Sequence, residues 1–201
     1  MGWADMAAAA ATAERAALAA ILADNEDPWA HFAVGCVYLF KRRFDDSLAE
    51  FELALRLNPS FSLGRGYYGL ALSYYGRWEE GDLAARRALR LIPHDPLAAF
   101  YCGIGAYAQF VGRNHEDAIR LSRDGIRQRA DFVGAHRVLT AAAAMAGEDE
   151  VARISLRELR RLQPGISVDW ITEYLPIKRA ADRGHDLEAF RRAGMDTPAD
   201  Q

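Results

Sequence analysis

The sequence repeats itself at a fixed interval of 34 residues. The interval separates Gly35 from Gly69, and it is also found between other matching pairs: Phe44 and Trp78, Ala54 and Ala88, Pro59 and Pro93. A fixed period of this length is typical of stacked-repeat proteins, in which each unit buries its apolar face only against its neighbours. The period therefore predicts an elongated array with one continuous core rather than a layered globular domain.

Local signals divide each repeat into two helices. Pro28 follows Asp27 and suits the first position of a helix, because its fixed φ is helical and no N–H is needed there. We expect the first helix to end near Lys41-Arg42 and the second to run from about Asp45 to Asn58, where Pro59 stops it. The predicted repeats are 28–61, 62–95, 96–132 and 133–166.

The third repeat departs from the period, because it is 37 residues long and has Ala130 where the others have proline. Gly103 and Gly112 are nine residues apart, whereas the matching Gly69 and Gly76 are seven apart. The extra residues predict an extended or bulged first helix, followed by a longer turn at Asn114-His115.

Partial units flank the four repeats. The Ala-rich residues 1–27 predict a helix that caps the array through an apolar stripe of Leu18, Ile21 and Leu22. Residues 167–194 predict a truncated fifth repeat and a last helix that ends at Gly194 and closes the far end of the stack. Residues 195–201 are expected to be disordered.

The repeated positions resemble the tetratricopeptide repeat (TPR) pattern over about residues 12–193. The first repeat carries Val34-Gly35, Tyr38, Phe51, Ala54 and Pro59 at the positions that the family prefers. The second keeps Tyr68-Gly69 and Ala88, and the fourth keeps Leu139, Ala152 and Pro164. The resemblance implies an all-α, TPR-type α-solenoid of antiparallel helix pairs and a non-catalytic scaffold for protein–protein interaction.

A narrower resemblance links the chain to the TPR arrays that follow class III adenylate/guanylate cyclase domains in bacteria. It is carried by Asp-Pro-Trp-Ala-His at 27–31, Phe-Val-Gly-Ala-His-Arg at 132–137 and Leu-Arg-Arg-Leu-Gln-Pro at 159–164. Arrays of that kind imply an alternative function in regulation or homo-oligomerisation.

One face of each first helix is predicted to line the concave surface that solenoids use for binding. The candidate partner-binding residues on this face are mostly apolar or aromatic: Trp29, Phe32, Cys36, Phe40, Leu63, Leu70, Tyr74, Phe100, Ile104, Tyr107 and Arg137. An exposed apolar surface of this kind suits an amphipathic helix or an extended apolar segment of a partner. The alternative is that the same residues pack on neighbouring helices as core.

Other classes of function find little support in the sequence. The net charge of −3 argues against a nucleic-acid surface, and no stretch is long and apolar enough to predict a membrane helix or a signal peptide. TPR arrays that hold acidic C-termini use a clamp of basic and amide side chains, and here only Arg137 could serve in one. A cytoplasmic protein fits the two isolated cysteines, Cys36 and Cys102.

Catalytic, metal and cofactor sites are not predicted. The glycine pattern Gly64-x-Gly66-x-x-Gly69 lies among helices and lacks the strand that a dinucleotide site needs. His31 and His136 share one packing position of the repeat, which favours structural histidines. The arginines Arg157, Arg160 and Arg161 favour a solvated face, with a site for an acidic partner as the alternative.

Overall fold

The computed structural model describes residues 3–91 and 96–196, and this part of the chain is entirely helical apart from its turns and loops. Its eleven helices have the following bounds: α1 Trp3–Ala23, α2 Pro28–Phe40, α3 Phe44–Leu57, α4 Ser62–Tyr75, α5 Trp78–Leu91, α6 Ala98–Val111, α7 His115–Gln128, α8 Val133–Ala146, α9 Asp149–Leu162, α10 Val168–Tyr174 and α11 Ala180–Arg192.

The pairs α2/α3, α4/α5, α6/α7 and α8/α9 are the four repeats, and the fold is the all-α TPR-type solenoid that the period predicts. Pro28 occupies the first position of α2, and Asp27 caps this helix by accepting a hydrogen bond from the Trp29 N–H at 2.9 Å. The helix bounds predicted for the first repeat agree with the structure to within one or two residues. Local capping and stop signals are therefore sufficient to predict the helix bounds in this repeat.

Close approach of paired helices depends on small residues at the crossing. On Gly69 of α4, a Cβ would lie 2.9 Å from the carbonyl oxygen of Gly81 on α5. That contact is to backbone, which cannot rotate away as a side chain could. In the next repeat Gly105 of α6 is different, because the nearest atom to a Cβ there is Leu121 Cδ1 at 3.5 Å, an ordinary contact.

We expect Gly69→Ala to lower the free energy of unfolding by about 1–3 kcal/mol, because the new methyl group forces α4 and α5 apart. Gly105→Ala is the matched control and is expected to raise it by about 0.5–1 kcal/mol, the usual gain from alanine in a helix interior. Urea unfolding of both variants measures the difference. Equal stabilities would contradict the close crossing of α4 and α5.

The longer third repeat does not lengthen its first helix, so the expectation of an extended or bulged helix is wrong. α6 has 14 residues, as α4 and α8 do. Instead, Pro96 and Leu97 precede α6 as a turn, whereas the second repeat begins directly with α4. The turn Gly112–Asn114 has one residue more than Gly76-Arg77 of the second repeat and the same length as the turn 41–43 of the first, so the longer turn is confirmed relative to the second repeat alone. Residues 92–95, with the predicted stop Pro93, lie outside the described residues.

α1 packs on α2, but only part of the predicted stripe is covered. Among the described side chains of this helix Ala17 is buried and Ile21 is half-buried, whereas Leu18 is 41% exposed and Leu22 is 88% exposed. Alanine's small side chain lets α1 approach α2, and this turns the two leucines outward. The N-terminal end of the array therefore presents exposed apolar side chains.

The C-terminal unit is helical as predicted, but its position is not the expected one. α10 stops before Pro176, and α11 ends with Gly194 at φ 86°, where the Met195 N–H donates to the Phe190 carbonyl. Met195 is buried, which contradicts disorder from residue 195 onward; residues 197–201 lie outside the described part. Instead of only closing the far end, residues 167–195 fold back across the array. We call these residues the C-terminal segment.

Candidate functional site: a partly covered concave face

The first helices α2, α4, α6 and α8 line the concave face, and aromatic rings follow it from one repeat to the next. Phe32 lies 5.2 Å from Tyr67, Tyr67 lies 5.1 Å from Phe100, and Phe100 lies 6.3 Å from Phe132, measured between ring centroids. Trp29 extends the row at its N-terminal end, 5.8 Å from Phe32. We call these five residues the aromatic row. Such edge and tilted contacts are favourable geometries for aromatic pairs.

The C-terminal segment crosses the other side of this face, near the turns that join the helices of each pair. The Lys178 N–H donates to the Tyr74 carbonyl at 2.9 Å, and the Lys178 ammonium group lies 3.6 Å from the Tyr75 ring centroid. Arg42, in the turn after α2, donates to the carbonyls of Thr172 and Glu173 at 3.3 and 3.0 Å. The segment is therefore tied to the first two repeats, more than 90 residues away in sequence.

α11 is held by charge and by stacking. Asp182 is 3% exposed and accepts hydrogen bonds from Arg179 at 2.6 Å and from Arg113 at 3.1 Å. One turn further along α11, His185 stacks on Phe110 of α6 with the ring centroids 4.7 Å apart. Burial beside the Arg113 guanidinium lowers the pKa of His185 to about 4, so this ring is neutral at pH 7.

Under α11 the concave face is closed core. Tyr74, Ile104 and Tyr107 are 4%, 2% and 7% exposed, so most of the surface of these three predicted site residues is buried. The space left between α11, Tyr107 and Phe190 is a cavity of only about 10 Å³, room for at most one water molecule. Sequence spacing could not show this, because the covering helix belongs to a distant part of the chain.

Asp186 lies in this contact and is 3% exposed. Burial, helped by the neighbouring Asp182 and opposed by Arg137 and Arg113, raises the pKa of its carboxyl to about 7. The carboxyl is thus close to half-protonated at neutral pH.

The uncovered part of the concave face contains a pocket of about 180 Å³ between α4, α6 and α8. Six of the eleven predicted residues line it: Leu70, Tyr74, Phe100, Ile104, Tyr107 and Arg137. Of the other five, Trp29 is 55% and Phe40 59% exposed, and Phe32, Cys36 and Leu63 are half-buried. The structure therefore brings half of the predicted site together and leaves the rest along the row or at the end of α2.

Sequence reasoning missed two members of the aromatic row, Tyr67 and Phe132. A signal for Phe132 was available, because it precedes α8 as Phe61 precedes α4. For Tyr67, the repeat position alone gave no reason to place it beside Phe32 and Phe100. The C-terminal segment as the cover of the face was also missed.

The described residues offer no metal cluster of three or more His, Cys, Asp or Glu side chains. None of their helices is long and apolar enough to span a membrane. Both cysteines are free, and burial raises the pKa of the Cys36 thiol to about 12, which makes it a poor nucleophile. The chemistry available on the concave face is consequently that of apolar contact, ring stacking and one guanidinium group.

Comparison with known proteins shows which solved structures share this fold. No family model and no curated protein sequence matches the chain. Among solved structures it is similar to PilW, a type IV pilus biogenesis factor, with TM-score 0.70 and 16% identity over 96% of this chain and 88% of that chain. It is also similar to TTC0263, a TPR protein of Thermus thermophilus, with TM-score 0.64 and 16% identity over 86% and 93% of the two chains.

A third similar structure is YrrB, described as a TPR protein with an unusual peptide-binding site. It has TM-score 0.56 and 16% identity over 91% of this chain and 93% of that chain. At these identities the likeness establishes the TPR fold of the chain and leaves its function open.

Proposed function

We propose that the protein is a non-catalytic scaffold that binds an apolar segment of a partner protein in the uncovered part of its concave face. The observation that carries this proposal is the aromatic row with the adjoining 180 Å³ pocket, which no part of the described chain fills. Aromatic rings with exposed faces supply large contact area at little cost in conformational entropy. Trp29, at 55% exposure, would gain most from being covered.

The shape of the site limits what it takes. The C-terminal segment already fills the side near the turns, so a long amphipathic helix across the whole face has no room. A short extended or single-turn segment fits along the row, with one large apolar side chain in the pocket between Phe100 and Tyr107. Arg137 borders the pocket, and its guanidinium N–H groups can donate hydrogen bonds to the partner. The same guanidinium group lies 5.9 Å from the Trp170 ring centroid.

A protein of similar structure also supports binding of a peptide segment. A peptide-binding site is described for YrrB, a protein of the same fold. A regulatory role like that of arrays beside cyclase domains stays a prediction, as does the cytoplasmic location.

Selection of random 12-residue peptides on the immobilised protein tests the proposal. We expect the selected peptides to carry at least two large apolar residues and to bind Phe100→Ala protein at least tenfold more weakly, because the pocket wall is lost. Trp29→Glu is expected to weaken binding similarly by placing a charge on the row. Tyr74→Glu is unsuitable, since Tyr74 is buried under the C-terminal segment and its change would disturb that contact.

The control is Leu83→Glu, a change at a 48% exposed leucine on α5, away from the concave face. It is expected to leave peptide affinity unchanged. Peptides that bind all three folded variants as well as the wild type would refute the concave site, and so would a selection that yields no binding peptide.

A further inference from the structure

A second, larger groove lies on the opposite side of the array, between α7, α8 and α9. Its volume is about 770 Å³, and we call it the α7–α9 groove. Its floor is apolar, with Ile126, Leu139, Val151 and Ile154, and Ile154 is 50% exposed. An open apolar depression of this size on the convex side is not part of the concave site and needs its own explanation.

Arginines surround this floor. Arg123, Arg127, Arg157 and Arg161 line the groove together with one carboxylate, Glu158. Arg123 pairs with Glu148, Arg127 with Asp124 and Arg161 with Glu158. Arg157 makes neither a hydrogen bond nor an ion pair within residues 3–91 and 96–196. The rim is thus net positive, with one guanidinium group still available to an anion.

The groove also contains a buried polar atom without a partner. His136 lines it and is 6% exposed; its Nε2 lies 2.8 Å from the Ala130 carbonyl oxygen, whereas its Nδ1 has no partner in the described chain. Because Nε2 donates to a carbonyl, Nδ1 can pair with a carboxylate only when it also carries a proton, and such a pairing would recover the free energy that an unpaired buried nitrogen costs.

The first repeat shows how such a histidine is satisfied. His31 occupies the same repeat position, and its Nδ1 lies 2.7 Å from the Glu50 carboxylate. The residue that matches Glu50 in the fourth repeat is Ser155, whose hydroxyl donates to the His136 carbonyl at 3.1 Å instead. The fourth repeat therefore lacks a carboxylate at the place where the first repeat has one.

α1 offers the complementary features. Leu18 and Leu22 are 41% and 88% exposed and lie one helical turn apart, so they form an apolar ridge on the outside of the helix. Directly after them come the exposed carboxylates of Asp24 and Glu26, and Glu26 makes no ion pair within the part of the chain that the structure describes. An apolar ridge followed by negative charge matches an apolar floor with a positive rim.

We propose that the α7–α9 groove of one molecule binds α1 of a second copy, with Leu18 and Leu22 on the floor and the acidic end of α1 facing Arg157 and His136. The α1 surface and the α7–α9 groove are different parts of the chain, so the contact is head-to-tail. Each copy that is added brings an unoccupied groove for the next copy. Association would then continue beyond the dimer as concentration rises. The contact is independent of the concave site.

Sedimentation velocity over about 1 to 500 μM at two salt concentrations tests this association. We expect the average mass of the wild type to rise with concentration without stopping at two chains, and to rise less at 0.5 M NaCl because the charges are screened. The donor variant Leu22→Glu and the acceptor variant Ile154→Glu are each expected to stay monomeric. Both changes are at exposed side chains, so folding is preserved.

The decisive measurement is an equimolar mixture of the two variants. Leu22→Glu protein keeps an intact groove, and Ile154→Glu protein keeps an intact α1, so the mixture should form dimers and nothing larger. Leu83→Glu is the control and should associate as the wild type does. A monomeric wild type at all concentrations, or a mixture that does not dimerise, would overturn the proposal. Trp29→Glu protein should associate as the wild type does. Self-association and peptide binding on the concave face can therefore be tested separately.

Discussion

Asp186→Asn protein is expected to be more stable than the wild type at pH 8 and about equally stable at pH 4. In the unfolded chain this carboxyl loses its proton near its usual pKa of 3.8, whereas in the folded protein burial raises that pKa to about 7. Between these pH values the folded state binds more protons, so the free energy of unfolding falls as the pH rises, by up to about 1.4 kcal/mol per unit. The asparagine side chain does not ionise, so the free energy of unfolding of the variant does not fall with pH on account of residue 186.

The environment of Asp186 explains why the shift is upward despite nearby cations. It is faced by groups from α4, α6, α8, the turn after α6 and its own helix: Tyr74, Tyr107, Arg137, Arg113 and Asp182. The two arginines favour the anion, but burial and the carboxylate of Asp182 oppose it more strongly. Urea unfolding of both proteins at pH 4, 5, 6, 7 and 8 measures the difference, and the titration of His185 cancels because both proteins contain it.

Asp182→Asn is the control, one turn earlier on α11 and equally buried. Its carboxylate pairs with Arg113 and Arg179, so the substitution removes the negative charge that both guanidinium groups face. We expect this variant to be less stable than the wild type at pH 7. If Asp186→Asn gained no stability over the wild type between pH 4 and pH 8, the carboxyl would not be buried as the structure has it.

Phe190→Ala is expected to detach the C-terminal segment while the four repeats stay folded. Phe190 is 2% exposed and packs in the contact with Phe110 and Val138, and removal of a buried phenylalanine costs about 3–5 kcal/mol. Besides this contact, α11 is held on the array by the stacking of His185 on Phe110 and by polar bonds, and it belongs to no full repeat, so the loss should fall on the segment first. Hydrogen exchange should therefore accelerate in residues 177–195 and much less in α4 to α8.

A second readout checks that the covered half of the concave face opens. Tyr74 and Tyr107 would then become accessible, so an apolar dye that fluoresces on binding exposed apolar surface should give a stronger signal than with the wild type. Glu188→Ala, at an exposed residue of the same helix that pairs with Arg192, should change neither measurement. Unchanged exchange in residues 177–195 of Phe190→Ala protein would show that Phe190 does not anchor the segment.

The local parts of the fold follow from the sequence. Pro28 after Asp27 and the stop at Pro59 predict α2 and α3 within one or two residues. Caps, stops and close-contact glycines act through neighbours in the same repeat, so their effects can be read from short spacings. In the third repeat the same approach misplaced the extra residues. Packing of α6 between α4 and α8 keeps the common helix length and moves the added residues into loops.

The sequence period also predicts which residues share a helix face, but it does not predict which other segments pack on that face. Leu18 and Leu22 share a face of α1, as predicted, yet this face points outward because Ala17 makes the contact with α2. The residues predicted for the concave face likewise differ in burial, since Tyr74 and Tyr107 are buried whereas Trp29 is exposed. A repeat position fixes the direction of a side chain relative to its own helix and says nothing about a segment that arrives later in the chain.

The sequence by itself determined the all-α solenoid of repeated helix pairs, because this architecture depends on interactions within about 34 residues. The tertiary structure alone decided how the surfaces of this solenoid are used. It placed the C-terminal segment across the inner face through contacts such as that of Lys178 with Tyr74, and it left the α7–α9 groove open where Ser155 replaces the carboxylate of Glu50. Burial of a surface depends on which distant residues reach it, and a spacing pattern carries no information about that.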